Sequence, residues 1–149
     1  MSALSKKDVA RTYPGRYALT SETHRLANLV LDQLWAERNA ERMISSPDRS
    51  GSCKFAALLA RELFGGRLAG NENHVFVMRK GAILDLNLTQ GDVASLGDVA
   101  HHQDPFALVN IDYRESMASC LPRVKRWIRR FEELAPKACR LECSTDLTI

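Results

Sequence analysis

Long apolar runs are missing from this sequence; the longest spans a handful of residues, too short for a helix to cross a bilayer. The N-terminus likewise lacks an apolar stretch behind its basic pair, Lys6 and Lys7, so no secretory signal is expected. A cytoplasmic location is the expectation, although unconventional delivery to another compartment or cell need leave no mark there. Cysteine is scarce, with four residues at positions 53, 120, 139 and 143. In a reducing compartment they are expected to be free thiols. Cys139 and Cys143 have the spacing of half a metal site, but no second pair matches them, and His101 and His102 lie far off in sequence. Neither a metal nor any other cofactor is expected.

An excess of one charge is missing too. Twenty-one Lys and Arg against 18 Asp and Glu leave a net charge of +3, too little to imply a nucleic-acid partner. No recognition motif and no aromatic-rich basic groove changes that conclusion. Arg123, Lys125, Arg126, Arg129 and Arg130 cluster, but Glu132 and Glu133 follow at once, as on a solvated helix face. Internal repeats, linkers and low-complexity segments are absent. The expected organisation is one domain over residues 1–149: a lead-in at 1–20, a core at 21–135 and a tail at 136–149.

What is present is an ordinary globular composition, 45% hydrophobic over 149 residues, enough to build one self-supporting core. Thr20 or Ser21 offers a helix cap, and Glu22 adds a favourable acid in the first turn. Leu26, Leu29, Val30, Leu34 and Trp35 then predict a helix to about residue 43. Turn residues fill 45–51. A second helix is expected from Ser52 to Phe64, with Phe55, Leu58, Leu59 and Leu63 facing inward until Gly65-Gly66 stops it.

The period then changes from helix to strand. Short strands are expected at 67–69, 74–79 and 82–88, the last two joined by a tight turn at Lys80-Gly81. Residues 92–103 read as irregular. Asp104-Pro105 can open a helix, while Phe106–Ile111 reads equally well as a strand. A last helix is expected over 121–134, with Pro122 in its first turn. The fold class is therefore α+β: a cysteine-bearing helix packed on a small antiparallel sheet containing Val75, Val77 and Ile83, flanked by two further helices.

Three residues in this frame carry chemistry. Cys53 opens the second helix, where exposed amides and the helix dipole stabilise a thiolate. His74 begins a strand after the polar loop Asn71-Glu72-Asn73, so it sits at a sheet end and can exchange a proton with the thiol. Asp85, flanked by Leu84 and Leu86, faces away from both leucines and lies across the hairpin from His74, where it can hold the imidazole's tautomer. Taken singly, each residue has a bland reading: a small buried thiol, a structural histidine, a turn-forming acid. Their order and proximity in one compact unit set the combination apart.

The segment from Gly51 to Gln90 resembles the papain-like and transglutaminase-like cysteine hydrolase superfamily. It is most similar to the small bacterial YunG-type transglutaminase-like proteins. The resemblance rests on Gly51-Ser52-Cys53 opening a helix, Phe64-Gly65-Gly66 closing it, the strand histidine His74, and Asp85-Leu86 followed by Thr89-Gln90. Trp35 in the preceding helix is a further point of similarity. The chain departs from that pattern in having Val75, not an aromatic residue, after the histidine, and two extra residues before Thr89; both differences bear on pocket shape. The resemblance implies a Cys53–His74–Asp85 triad and acyl transfer through a thioester, serving amide hydrolysis, deamidation or transamidation of a protein or peptide substrate. An oxyanion hole would use the backbone N–H of Cys53 and a second donor, for which Gln33, Trp35, Asn39 and Gln90 are candidates. The alternative from another class is a non-catalytic interaction module that keeps the fold and binds a partner through its basic C-terminal helix.

Overall fold

Alanine and leucine at three- and four-residue spacing bury one side of the first helix, α1 (Glu22–Glu41), through Ala27, Val30, Leu31, Leu34 and Trp35. The computed structural model describes residues 22–134. The cap expected at Thr20 or Ser21, the lead-in at 1–20 and the tail with Cys139 and Cys143 lie outside the described residues. Leu29, expected on the inner stripe, is about half exposed, while Leu31 is fully buried beside Val30, Leu34 and Trp35.

The second helix, α2 (Cys53–Phe64), is the centre of the molecule. Ala56, Ala57, Leu58, Leu59, Ala60, Leu63 and Phe64 are all buried, so the helix is covered on more than the one stripe expected. Three alanines among them let neighbouring elements approach closely. Gly65 and Gly66 end it, both at positive φ, and a Cβ on Gly66 would lie 2.6 Å from the carbonyl oxygen of Met78.

Strands β1 (Arg67–Gly70), β2 (Val75–Arg79) and β3 (Ala82–Leu84) form an antiparallel sheet in the order β1-β2-β3. Lys80 and Gly81 both have positive φ, as a two-residue type I′ hairpin requires. Val77 pairs with Leu84, and these residues join Val75 and Leu86 in the core shared with α2. Ile83 pairs with Met78, one residue out of phase, and packs instead with Ala69 and Phe76 in a separate cluster. Val75, Val77 and Ile83 thus all belong to the expected antiparallel sheet, with Ile83 on the opposite face from the other two.

The third strand also stops four residues early. The Asn87 N–H donates to Asp85 Oδ1 at 2.9 Å, a side-chain-made turn that pulls the backbone out of the ladder after Leu84. Residues 91–101 are not irregular but hold a short helix, α3 (Gly91–Ala94), and a 3-10 turn, Gly97–His101. Buried Val93, Ala94 and Ala100 anchor them. Of the two readings after Asp104, helix prevails: α4 (Pro105–Val109) is capped by Asp104 Oδ1, which accepts the Phe106 N–H at 3.0 Å.

The last helix, α5 (Ile111–Leu134), begins ten residues before the expected start. Asn110 Oδ1 accepts the Tyr113 N–H at 3.2 Å, a cap overlooked among polar neighbours. Pro122 thus lies inside the helix, where it has no N–H to give the carbonyl four residues back. Burial of Met117, Cys120, Val124, Trp127 and Phe131 on one side carries the helix past it. Helices α1, α2 and α5 meet in an aromatic cluster, with Trp35 and Trp127 ring centroids 5.6 and 5.4 Å from Phe55. Among the described residues no helix is long and apolar enough to cross a membrane.

Candidate active site

Cys53 is the first residue of α2 and is half-buried. Its neighbour Ser52 is fully buried, and the Ser52 hydroxyl does not cap the helix. It accepts a hydrogen bond from Asn87 Nδ2 at 2.8 Å instead. The amides of the first turn beside the thiol are left without that side-chain cap, the condition under which a helix N-terminus favours negative charge.

His74 immediately precedes β2 and Asp85 immediately follows β3. Continuing the hairpin register places Asp85 opposite Phe76, so His74 and Asp85 are diagonal neighbours on one face. His74 Nε2 lies 2.7 Å from Asp85 Oδ2, and both side chains are almost wholly buried. A carboxylate at that distance fixes a proton on Nε2 and leaves Nδ1 as the nitrogen turned away from it. Nδ1 is itself buried and makes no hydrogen bond of normal geometry. Cys53 nevertheless acts on the ring, raising its proton affinity.

Electrostatics follow from this arrangement. Burial alone would lower the His74 pKa; the charge and hydrogen bond of Asp85 outweigh it, Cys53 adds to them, and the imidazole is pushed up to about 10. Burial would raise the Asp85 pKa, but the charge of His74 and hydrogen bonds from His101 and His74 hold it well below the usual carboxylate range. Tyr113 is pushed up to about 12, chiefly by burial and then by the charge of Cys53, so its phenol shares the thiol's surroundings.

Two polar frames hold these groups, and sequence reasoning missed both. The first is centred on Arg49, in the turn-rich segment 45–51. It is only 3% exposed. Its guanidinium bonds to Asp32 and to the Asn28 carbonyl and side chain on α1, and to the Leu86 carbonyl and Asn87 Oδ1 beyond Asp85. Asn87 then links the Asp85 turn to Ser52, so the cysteine end of α2 and the acid are tied together. The second frame is Asn71. Its Oδ1 accepts the N–H groups of Asn73 and His74, and its Nδ2 donates to carbonyls of Val99 and His102. It therefore joins the histidine loop to the 3-10 turn.

That turn carries His101, a residue the sequence placed in an irregular segment. His101 Nε2 lies 2.8 Å from Asp85 Oδ2, the oxygen His74 also uses. Ligand atoms of His74, Asp85 and His101 lie within 4.8 Å of one another, close enough to hold a metal ion, but the hydrogen bonds already account for the spacing.

Three of the four candidate second donors lie on α1, and the fourth lies in the loop before α3. Gln33 is on the solvent side of α1 and donates to Glu37. Asn39, buried near the end of α1, accepts from Arg38. Trp35 is buried in the aromatic cluster under the Arg38 guanidinium, and its Nε1 is without a hydrogen-bond partner. Gln90 Oε1 accepts the Arg49 N–H and so belongs to the loop that leads into Cys53. On the basic helix, Arg123 pairs with Glu41 and Arg130 with Glu37 and Glu133, and Trp127 is buried; part of that charge is satisfied within the chain.

A cleft of about 520 Å³ is lined by Lys54, Glu72, Phe106, Asn110, Tyr113 and Ser116 among others. Lys54 adjoins Cys53 in the chain, and Glu72 lies two residues before His74. Lys54 Nζ donates to Ser116 Oγ at 2.7 Å and sits over the Tyr113 ring, tying α2 to α5 at the cleft floor. Comparison with protein-family models, with curated proteins and with solved structures finds no match to this chain.

Proposed function

We propose that this chain is a cysteine acyl-transfer enzyme of papain-like or transglutaminase-like type, with Cys53 as nucleophile, His74 as acid and base, and Asp85 as the group that orients His74. One observation carries the reading: a buried carboxylate holds Nε2 of His74 while the buried Nδ1 is left to a cysteine at a helix start. The cleft beside Lys54 and Tyr113 is of a size that admits a peptide side chain.

In this mechanism Nδ1 already holds the proton taken from Cys53 Sγ, and the sulfur attacks the carbonyl carbon of an amide. The backbone N–H of Cys53 faces the developing oxyanion. As the thioester forms, sulfur loses its negative charge and His74 loses one of the influences that raise its pKa. The ring then gives its proton to the departing nitrogen when that nitrogen needs it. Water or an amine attacks the thioester, returns a proton to Nδ1 and releases Cys53. Hydrolysis, deamidation and transamidation differ only in substrate and acceptor.

The test is incubation with an activated ester such as p-nitrophenyl acetate, followed by mass spectrometry of the modified peptide. An acetyl group on Cys53 that turns over in water, faster with added primary amine for a transamidase, is the expected result. Cys53→Ser and His74→Ala should lose it. Acetylation that falls on lysines alone, unchanged in both variants, would sink the proposal.

A further inference from the structure

We infer that His101 is a positioning residue of this site, holding Asp85 so that Asp85 can hold His74; the inference rests on the reading above. Asp85 Oδ2 is shared by two imidazoles, His74 Nε2 at 2.7 Å and His101 Nε2 at 2.8 Å, and Oδ1 accepts the Asn87 N–H at 2.9 Å. The carboxylate is thus clamped from three directions and cannot turn about its own axis without breaking a bond. His101 is clamped in turn. Its ring lies edge-on to His74 and to Phe76, with centroids 5.5 and 4.9 Å away, and Phe76 stacks on His74. Asn71 secures the 3-10 turn to the His74 backbone, so the two histidines move as one body.

The tautomer follows from the acceptor. A carboxylate oxygen accepts only, so His101 must present N–H at Nε2, as His74 does. His101 also divides the carboxylate's attraction. With one oxygen shared, Asp85 draws less on the Nε2 proton of His74 than a sole partner would, which keeps the proton on the imidazole and Nδ1 free for sulfur. A bound divalent ion would need the Nε2 atoms as ligands and so would displace both protons. The hydrogen-bonded arrangement requires them.

Two substitutions separate donor from ring. His101→Gln keeps an N–H donor at the distance of Nε2, while His101→Phe keeps the ring against Phe76 and removes the donor. The measurement is the rate of iodoacetamide labelling of Cys53 at neutral pH, read by mass spectrometry. His101→Phe should slow labelling about tenfold, the scale of one charge-assisted hydrogen bond, and His101→Gln should restore it to within about threefold of the natural chain. Equal loss in both variants, or none in His101→Phe, would overturn the inference. Should the Phe variant fail to fold, NMR of the unmodified chain decides: a slowly exchanging Nε2 proton on His101 is expected, and an Nδ1-protonated ring or Zn²⁺-induced loss of both Nε2 protons at equimolar metal would overturn it. Failure of the underlying reading is distinguishable, because Cys53 labelling would then be indifferent to His74→Ala as well.

Discussion

Asp85→Asn changes one atom's identity and one unit of charge, and its consequence can be worked from the site. The Asp85 side chain is 3% exposed and is the main influence that raises His74 against the opposing effect of burial. With the charge removed, burial prevails, and the imidazole should fall from about 10 to the ordinary value of 6.5 or beneath it. That is at least about three decades of proton affinity, on the order of 4 kcal/mol. At neutral pH the natural chain holds His74 as imidazolium; the variant holds it neutral, with either nitrogen bearing the proton. The assay is an NMR titration of the ¹⁵N-labelled His74 ring between pH 5 and pH 10 or so, with Cys53 labelling followed in parallel. The natural ring should stay protonated across most of that range, and the variant should titrate at about 6.5 or lower. Labelling should fall in the variant without vanishing, since Nδ1 can still reach the thiol. A variant ring still protonated at pH 8 or above would refute the reasoning, because Asp85 would then not be the source of the raised value.

Arg49→Met should lower stability by about 3–5 kcal/mol in urea unfolding, since it strips a buried charge network from Asn28, Leu86 and Asn87; a loss under about 1 kcal/mol would show the network to be solvated. Gly70→Ala places a Cβ 2.3 Å from the His74 carbonyl oxygen at φ +150°, so it should destabilise the fold and slow Cys53 labelling together, whereas Gly81→Ala, with open space around it, should cost stability alone. Stability should also depend on pH with a definite sign. His74 sits above its unfolded value, so its contribution is complete below about 6.5 and disappears as pH rises through about 10; Asp85 sits below its unfolded value, so its contribution disappears as pH falls beneath about 3.8. Thermal melts should therefore show the natural chain losing Tm above neutrality more steeply than His74→Ala, and parallel curves would contradict this.

How much of the molecule was legible depended on whether a signal was local. Helix α2 announced itself by apolar spacing and the Gly65-Gly66 stop, and the hairpin by Lys80-Gly81, because period and turn chemistry act over a few residues. The early end of β3 did not, since it depends on the Asp85 side chain bonding two residues ahead under the hold of Arg49. Helix α5 was foreshortened because Asp112, Arg114, Glu115, Ser116 and Ser119 dilute its apolar stripe and Pro122 reads as a boundary. The inner positions Met117 and Cys120 are buried only by what packs on them. For the site, Cys53, His74 and Asp85 could be named from local context. Arg49, Asn71, Asn87 and His101 could not, because each acts through partners distant in sequence, and an arginine among turn residues ordinarily points to water. Buried polar residues of this kind become visible only when the chain has brought their partners together.

The most direct test of the triad is residue-resolved alkylation of the two described cysteines in the natural chain and in His74→Ala. Cys120 is the internal control: it is buried in the core, and burial pushes its thiol up. In the natural chain at about pH 6.5, Cys53 should react with iodoacetamide at least about tenfold faster than Cys120, as an activated thiol at a helix start does. His74→Ala should erase that advantage and leave Cys120 unchanged. Cys53 labelling that is no faster than Cys120, or equally fast without His74, would contradict the account.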